Sequence, residues 1–267
     1  MAEPITLITG ASAGIGAELA RLFAAQGHRL LLVARREAPM AQLAAEFAVA
    51  GYPPVTVLPL DLAAHDAVAR LTAKMAELDV EPQYVVNNAG FGLLGPAAEI
   101  DRSAQLDMID LNIRALTDLS LAFVDSLARH RGGILNVASV AAFLPGPRMA
   151  VYYASKAYVL SLSEALHKEF KRRGVRVTVL CPGPVPTEFQ QRAGIKGGHS
   201  GPRWLTLSAA RVAAEGYFGL MEGHRVVIPG WGNKLVAMLL RVLPRGLVMQ
   251  AAQMRQHRRT PGSAPYA

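Results

Sequence analysis

Short apolar runs that do not alternate with polar residues recur along this chain, each followed by a longer stretch of helical period. This pattern leaves few folds open. Strands are expected at 5–9, 29–34, 55–60, 84–87, 134–138, 175–181 and 225–228, and helices at 14–26, 38–50, 65–78, 103–131, 152–173 and 208–222. Strands that lack alternation are covered on both faces. The expected class is therefore α/β: a doubly wound sheet of about seven strands, mostly or wholly parallel, with helices on both faces and ligands at the carboxyl ends of the strands.

The first strand runs directly into Thr9-Gly10-Ala11-Ser12-Ala13-Gly14-Ile15-Gly16. The glycines fall as G-x-x-x-G-x-G rather than G-x-G-x-x-G. The Rossmann-like purpose can be the same: a tight turn, close backbone approach, and a helix N-terminus offering N–H groups to a pyrophosphate. An ordinary glycine turn is the plainer alternative. The second strand ends Val33-Ala34-Arg35-Arg36, with no acidic residue before Glu37. An acid there would bond a ribose 2′-hydroxyl, whereas two guanidiniums suit a 2′-phosphate. NADP(H) is thus expected over NAD(H), with Arg35 the stronger candidate and two solvated arginines the bland alternative. Asp61 and Leu62 end the third strand, where they could meet the adenine, or Asp61 could cap the next helix. Asn87-Asn88-Ala89-Gly90 closes the fourth, as a bridge between strand and cofactor or as a turn.

From Ser139 to Lys156 the chain reads SVAAFLPGPRMAVYYASK. If Tyr152 begins a helix, Tyr152 and Lys156 share one face a turn apart. A phenol titrates near about 10, and a neighbouring ammonium draws that value toward neutrality. Such a pair exchanges a proton with an alkoxide or alcohol. Ser139, at the end of the fifth strand, could bond the same oxygen. Tyr153 lacks the cation, because its fourth successor is Ala157.

TGASAGIG at 9–16, NNAG at 87–90, Asn112, Ser139, Tyr152 and Lys156 together resemble the short-chain dehydrogenase/reductase family in order and in the Ser-Tyr-Lys spacing. PGPVPT at 182–187 resembles that family's segment after the sixth strand, and the likeness covers about residues 5 to 230. The resemblance implies an oxidoreductase that interconverts a carbonyl and a secondary alcohol, and Arg35 and Arg36 make NADP(H) its expected cofactor. Tyr152 would be the general acid/base. Lys156 would lower its pKa and hold the nicotinamide ribose, and Ser139 would orient the substrate oxygen. Asn112 would anchor a water between Lys156 and solvent. Gly10, Ser12, Gly14, Ile15, Gly16, Asn88 and Gly90 would follow the cofactor, with Val185 and Thr187 at its nicotinamide end. A homodimer or homotetramer is also implied. The competing function is a catalytically silent nucleotide-binding regulator, whose mark would be a damaged Asn-Ser-Tyr-Lys set; here the set is whole.

Composition limits the remainder. Apolar residues make up 51% and charged residues 18%, which excludes wholesale disorder. The lone Cys181 allows no internal disulfide, and Met1-Ala2-Glu3-Pro4 shows no leader, so a cytoplasmic location is expected. The net charge is +8, yet no acid follows Glu222 while seven cations do, leaving +1 for the rest. A basic tail does not suggest nucleic-acid binding. A first unit is expected over 1–230, with a mobile substrate flap at 188–204 that holds Gly194, Gly197, Gly198, Gly201 and an exposed His199. Phe91, Phe143, Leu144, Met149, Phe189 and Trp204 are candidate walls for an apolar carbonyl or alcohol. A C-terminal apolar and basic helical extension is expected over 231–259, with 247–254 continuing it past Pro244, and a disordered tail over 260–267. The extension could cover the pocket, form a subunit interface, or attach peripherally to an anionic membrane.

Overall fold

In the computed structural model, residues 2–195 and 202–244 are described, with Gly246 and Met249 beyond them. The strands are β1 (Glu3–Thr9), β2 (Leu30–Ala34), β3 (Val55–Pro59), β4 (Val80–Asn87), β5 (Gly133–Val137), β6 (Arg176–Leu180) and β7 (Val226–Val227). They form one sheet in the order β3-β2-β1-β4-β5-β6-β7, and every pairing is parallel. Side chains on each strand alternate between two cores. On β2, Leu30 and Leu32 enter one core while Leu31 and Val33 enter the other. Both faces are dry, which explains why the strand sequences read as unbroken apolar runs.

The first core is closed by α1 (Gly14–Ala25), α2 (Glu37–Val49) and α9 (Ala209–Met221), where Phe23 packs edge-on against Tyr217. The second lies under α3 (Ala67–Glu77), α5 (Leu116–Ala122), α6 (Val124–Arg129) and α7 (Ala150–Lys171). Two short helices, α4 (Arg102–Ile109) and α8 (Glu188–Arg192), and the later α10 (Trp231–Val242) complete the framework around the strands' carboxyl ends.

Several expectations need correction. β4 begins at Val80 rather than at 84, because Val80 and Glu81 pair with Glu3 and Pro4 of a β1 that also starts early. Polar Glu81 and Gln83 and the intervening Pro82 hid this end. The helix expected over 103–131 is not continuous. A π-helical turn, Asp110–Ala115, follows α4, and Phe123 (φ −113°, ψ 16°) separates α5 from α6. α7 starts at Ala150, so Tyr152 is its third residue. The flap opens with a helical turn, α8, while Gly197, Gly198, Gly201 and His199 lie outside the described residues, as do Leu247, most of the expected continuation to 254, and the tail at 260–267.

Candidate active site

β1 and β4 are neighbours whose crossovers leave on opposite faces, and a crevice of about 970 Å³ opens at their carboxyl ends. Gly10, Ser12, Gly14 and Ile15 line one part of it, Asp61 and Leu62 another, and Ser139, Tyr152 and Lys156 a third. Arg35, Asn88, Gly90, Val185 and Thr187 also border the crevice. The glycine turn takes left-handed backbone at Gly10 (φ 65°) and Gly14 (φ 58°). Gly16 does not face the crevice. A Cβ there would stand 2.4 Å from both the Gly10 carbonyl oxygen and Asn88 Nδ2, so its role is close packing of turn against helix.

α1 begins at Gly14; its N-cap, Ala13, offers no side-chain cap, and its first turn holds no acid. No side chain caps its N-terminal amides, and an anionic pyrophosphate in the crevice fits that arrangement. Asn88 braces the turn: its Nδ2 donates to Thr9 O at 2.9 Å and Gly10 O at 3.2 Å. Asp61 Oδ1 accepts from Ala63 N at 3.0 Å and closes its own turn, which corrects the capping alternative for the following helix. Both residues border the crevice, with Asn88 Nδ2 and Asp61 Oδ1 engaged locally.

At the other end, β5 delivers Ser139 and α7 delivers Tyr152 and Lys156. Ser139 Oγ accepts from Ala141 N at 3.1 Å, which fixes the turn that aims it. Lys156, only 5% exposed, donates to Val137 O at 2.9 Å, and its Nζ lies 5.9 Å from the Tyr152 ring centroid. Burial holds the Tyr152 phenol above its ordinary value, and a hydrogen bond with the Ser139 side chain opposes that rise. Burial also draws the Lys156 amine down to about 8. The expected depression of the phenol by the ammonium is thus outweighed by desolvation of both groups.

Asn112 stands on the π-helical turn, a local geometry that often marks functional positions. Its Oδ1 accepts from Phe91 N at 3.1 Å, and its Nδ2 donates to Phe91 O at 2.9 Å and Ser155 Oγ at 3.1 Å. The carboxamide therefore ties the segment after β4 to α7. A Cβ on Gly90 would meet Asn112 Oδ1 at 2.9 Å and Lys156 Nζ at 3.4 Å, so both groups flank the same small space.

Of the candidate apolar walls, Phe91, Leu144, Met149 and Phe189 line the crevice, with Phe189 packed 5.3 Å from the Tyr152 ring. Phe143 does not line it; the Arg241 guanidinium sits over its ring. Trp204 does not either, being 52% exposed and stacked on Trp231. Sequence reasoning missed Leu205, Val236, Leu240 and Leu243, which complete the apolar side. The spacing of 233, 236 and 240 was the available signal, since it marks one face of α10, with Leu243 directly after its end. Asn233 anchors that face through Nδ2 bonds to Leu205 O at 3.1 Å and Pro229 O at 2.9 Å.

The sequence model for "short chain dehydrogenase" matches residues 4–196. A sulfoacetaldehyde reductase from Chromohalobacter salexigens is 37% identical over 188 residues, spanning 69% of this chain and 74% of that one. Among solved structures, a short-chain dehydrogenase from Sphingobium yanoikuyae in complex with NADPH is 30% identical and superposes with a TM-score of 0.78 over 98% of both chains. The bulky-bulky ketone specific alcohol dehydrogenase from Comamonas testosteroni is 27% identical, with a TM-score of 0.74 over 99% of this chain and 98% of that one. The sheet order, the crevice and these likenesses agree: the chain belongs to the short-chain dehydrogenase family, nucleotide-binding oxidoreductases of Rossmann-like fold.

Proposed function

We propose that this protein is an NADP(H)-dependent oxidoreductase that interconverts an apolar, bulky ketone and its secondary alcohol. The observation that carries this reading is the convergence of Ser139, Tyr152 and Lys156 on the crevice that also holds the glycine turn and Arg35. When bound, the nicotinamide supplies or accepts the hydride. Tyr152, kept neutral by burial, gives its proton to the oxygen that becomes an alkoxide, and takes one back in the reverse direction. Ser139 donates to the same oxygen and fixes its position. Lys156 holds the nicotinamide ribose and places a cation beside the phenol as charge develops. Asn112 keeps the Phe91 segment and α7 in register, so these groups stay aligned.

Arg35 supports the NADP(H) preference: it lines the crevice, and no acid stands between β2 and Glu37. Phe91, Leu144, Met149, Phe189, Val236 and Leu240 support an apolar substrate. Binding to the NADPH-complexed relative's cofactor and to the bulky ketones named for the Comamonas enzyme are the corresponding choices. A panel of ketones, aldehydes and alcohols with each nicotinamide tests the reading. Turnover of bulky ketones with NADPH well above NADH supports it; equal use of the two cofactors removes the NADP(H) preference.

The inward face of α10 supports the pocket-covering reading of the C-terminal extension. Its outward face exposes Trp231, Leu235, Met238 and Val242. No helix among the described residues is long and apolar enough to cross a membrane. That outward face is a contact surface for a second copy of the chain. Light scattering before and after Trp231→Ser decides this, and flotation with anionic vesicles identifies a lipid surface instead.

A further inference from the structure

The two arginines after β2 are not equivalent. Both border the crevice, but the Arg35 side chain makes no hydrogen bond or ion pair among the described residues. Arg36 Nη2 lies 2.8 Å from Glu188 Oε2 and donates to Ser12 Oγ at 3.3 Å. Glu188 is the first residue of α8 and is far away in sequence. It is brought to Arg36 because α8 sits directly on the glycine turn: a Cβ on Gly14 would meet the Thr187 methyl at 3.1 Å. Thr187 in turn caps α8, its Oγ1 accepting from Phe189 N at 3.4 Å. Ser12, Arg36 and Glu188 thus link the end of β2 to α8 along the crevice they line.

We propose that Glu188 is a specificity-determining residue: its carboxylate occupies Arg36 and so limits how strongly the protein favours cofactors that carry a ribose 2′-phosphate. The inference rests on the NADP(H) reading and deepens it. A 2′-phosphate carries up to about two negative charges near neutral pH. At this site it meets one free guanidinium, Arg35, and one already paired. To engage Arg36 it exchanges one charge-assisted bond for another, with a like charge at hydrogen-bond range of the same guanidinium. The Arg36–Glu188 pair is nearly half exposed on both sides, so it is weak enough for a phosphate to displace. Displaced Glu188 keeps a partner, because Arg192 binds the same carboxylate one turn along α8. A cofactor without the phosphate has nothing with which to compete and leaves the link closed. Glu188 acts through Arg36 and does not touch the reacting atoms.

Calorimetric titration of the full chain with 2′,5′-ADP and with ADP tests this without any turnover. The ratio of the two affinities in the unaltered protein tests the NADP(H) reading; the change in that ratio on Glu188→Gln tests the role of Glu188. Glu188→Gln is expected to tighten 2′,5′-ADP by about threefold to tenfold while moving ADP less than about twofold. In Arg36→Gln that gain is expected to vanish when Glu188→Gln is added. An unchanged ratio in Glu188→Gln overturns the inference, and so does an equal weakening of both ligands, which is the mark of a purely structural link. A ratio near unity in the unaltered protein that rises in Glu188→Gln overturns the NADP(H) preference and upholds the role of Glu188.

Discussion

The Asn112 carboxamide satisfies both backbone polar groups of Phe91, accepting from its N–H at 3.1 Å and donating to its carbonyl at 2.9 Å. Asn112 is fully buried, and removing its side chain takes from both groups the partner the fold gives them. Asn112→Leu is expected to destabilise the protein by about 3 kcal/mol, since buried unsatisfied backbone groups each cost about 1–3 kcal/mol. Turnover should fall with it, because the Phe91 segment borders the crevice. Urea unfolding checks the first effect; a loss below about 0.5 kcal/mol would show that the clamp is dispensable.

Gly16 gives a prediction whose sign opposes helix propensity. Alanine at an interior helical position normally gains about 1 kcal/mol over glycine. Here the added Cβ meets the Gly10 carbonyl and Asn88 Nδ2 at 2.4 Å, and neither can retreat without opening the turn. Gly16→Ala is expected to lose about 2 kcal/mol net and to weaken nucleotide binding. Thermal denaturation together with ADP titration would show both, and a raised melting temperature would contradict the packing.

Lys156 should make stability depend on pH. In the folded chain its amine titrates at about 8, below the ordinary lysine value of 10.5, because burial penalises the cation. Between those values the unfolded chain binds the extra proton, so stability rises with pH across that window, by at most roughly 1.4 kcal/mol per unit. Below about pH 8 both states hold the proton and this contribution is flat. Lys156→Met is expected to lose the rise. Chemical denaturation of both proteins from pH 7 to 10.5 provides the comparison, and parallel profiles would show that the amine is not desolvated.

The fold was legible because β2 and its neighbours are buried on both faces, a condition that writes unbroken apolar runs into the sequence. Ser139, Tyr152 and Lys156 were legible for a different reason: a helical turn and a strand end fix their spacing locally. The cradle around Asn112 was not, since the π-helical turn has no apolar period of its own and the bonds to Phe91 and Ser155 join distant segments. The same holds for Arg36 and Glu188, which only the folded crossover brings together. Phe143 and Trp204 were misplaced because aromatic content does not say which way a side chain faces. Val236 and Leu240 were missed because a face shared by a core and a pocket reads only as amphipathic.

Tyr152→Phe removes one oxygen and leaves the ring packed against Phe189, so it separates proton transfer from binding. The expected result is a loss of turnover with NADPH of about 10² to 10⁴ or more, with the NADPH dissociation constant changed less than about threefold. A variant that keeps its turnover would contradict the assignment of Tyr152 as the acid/base.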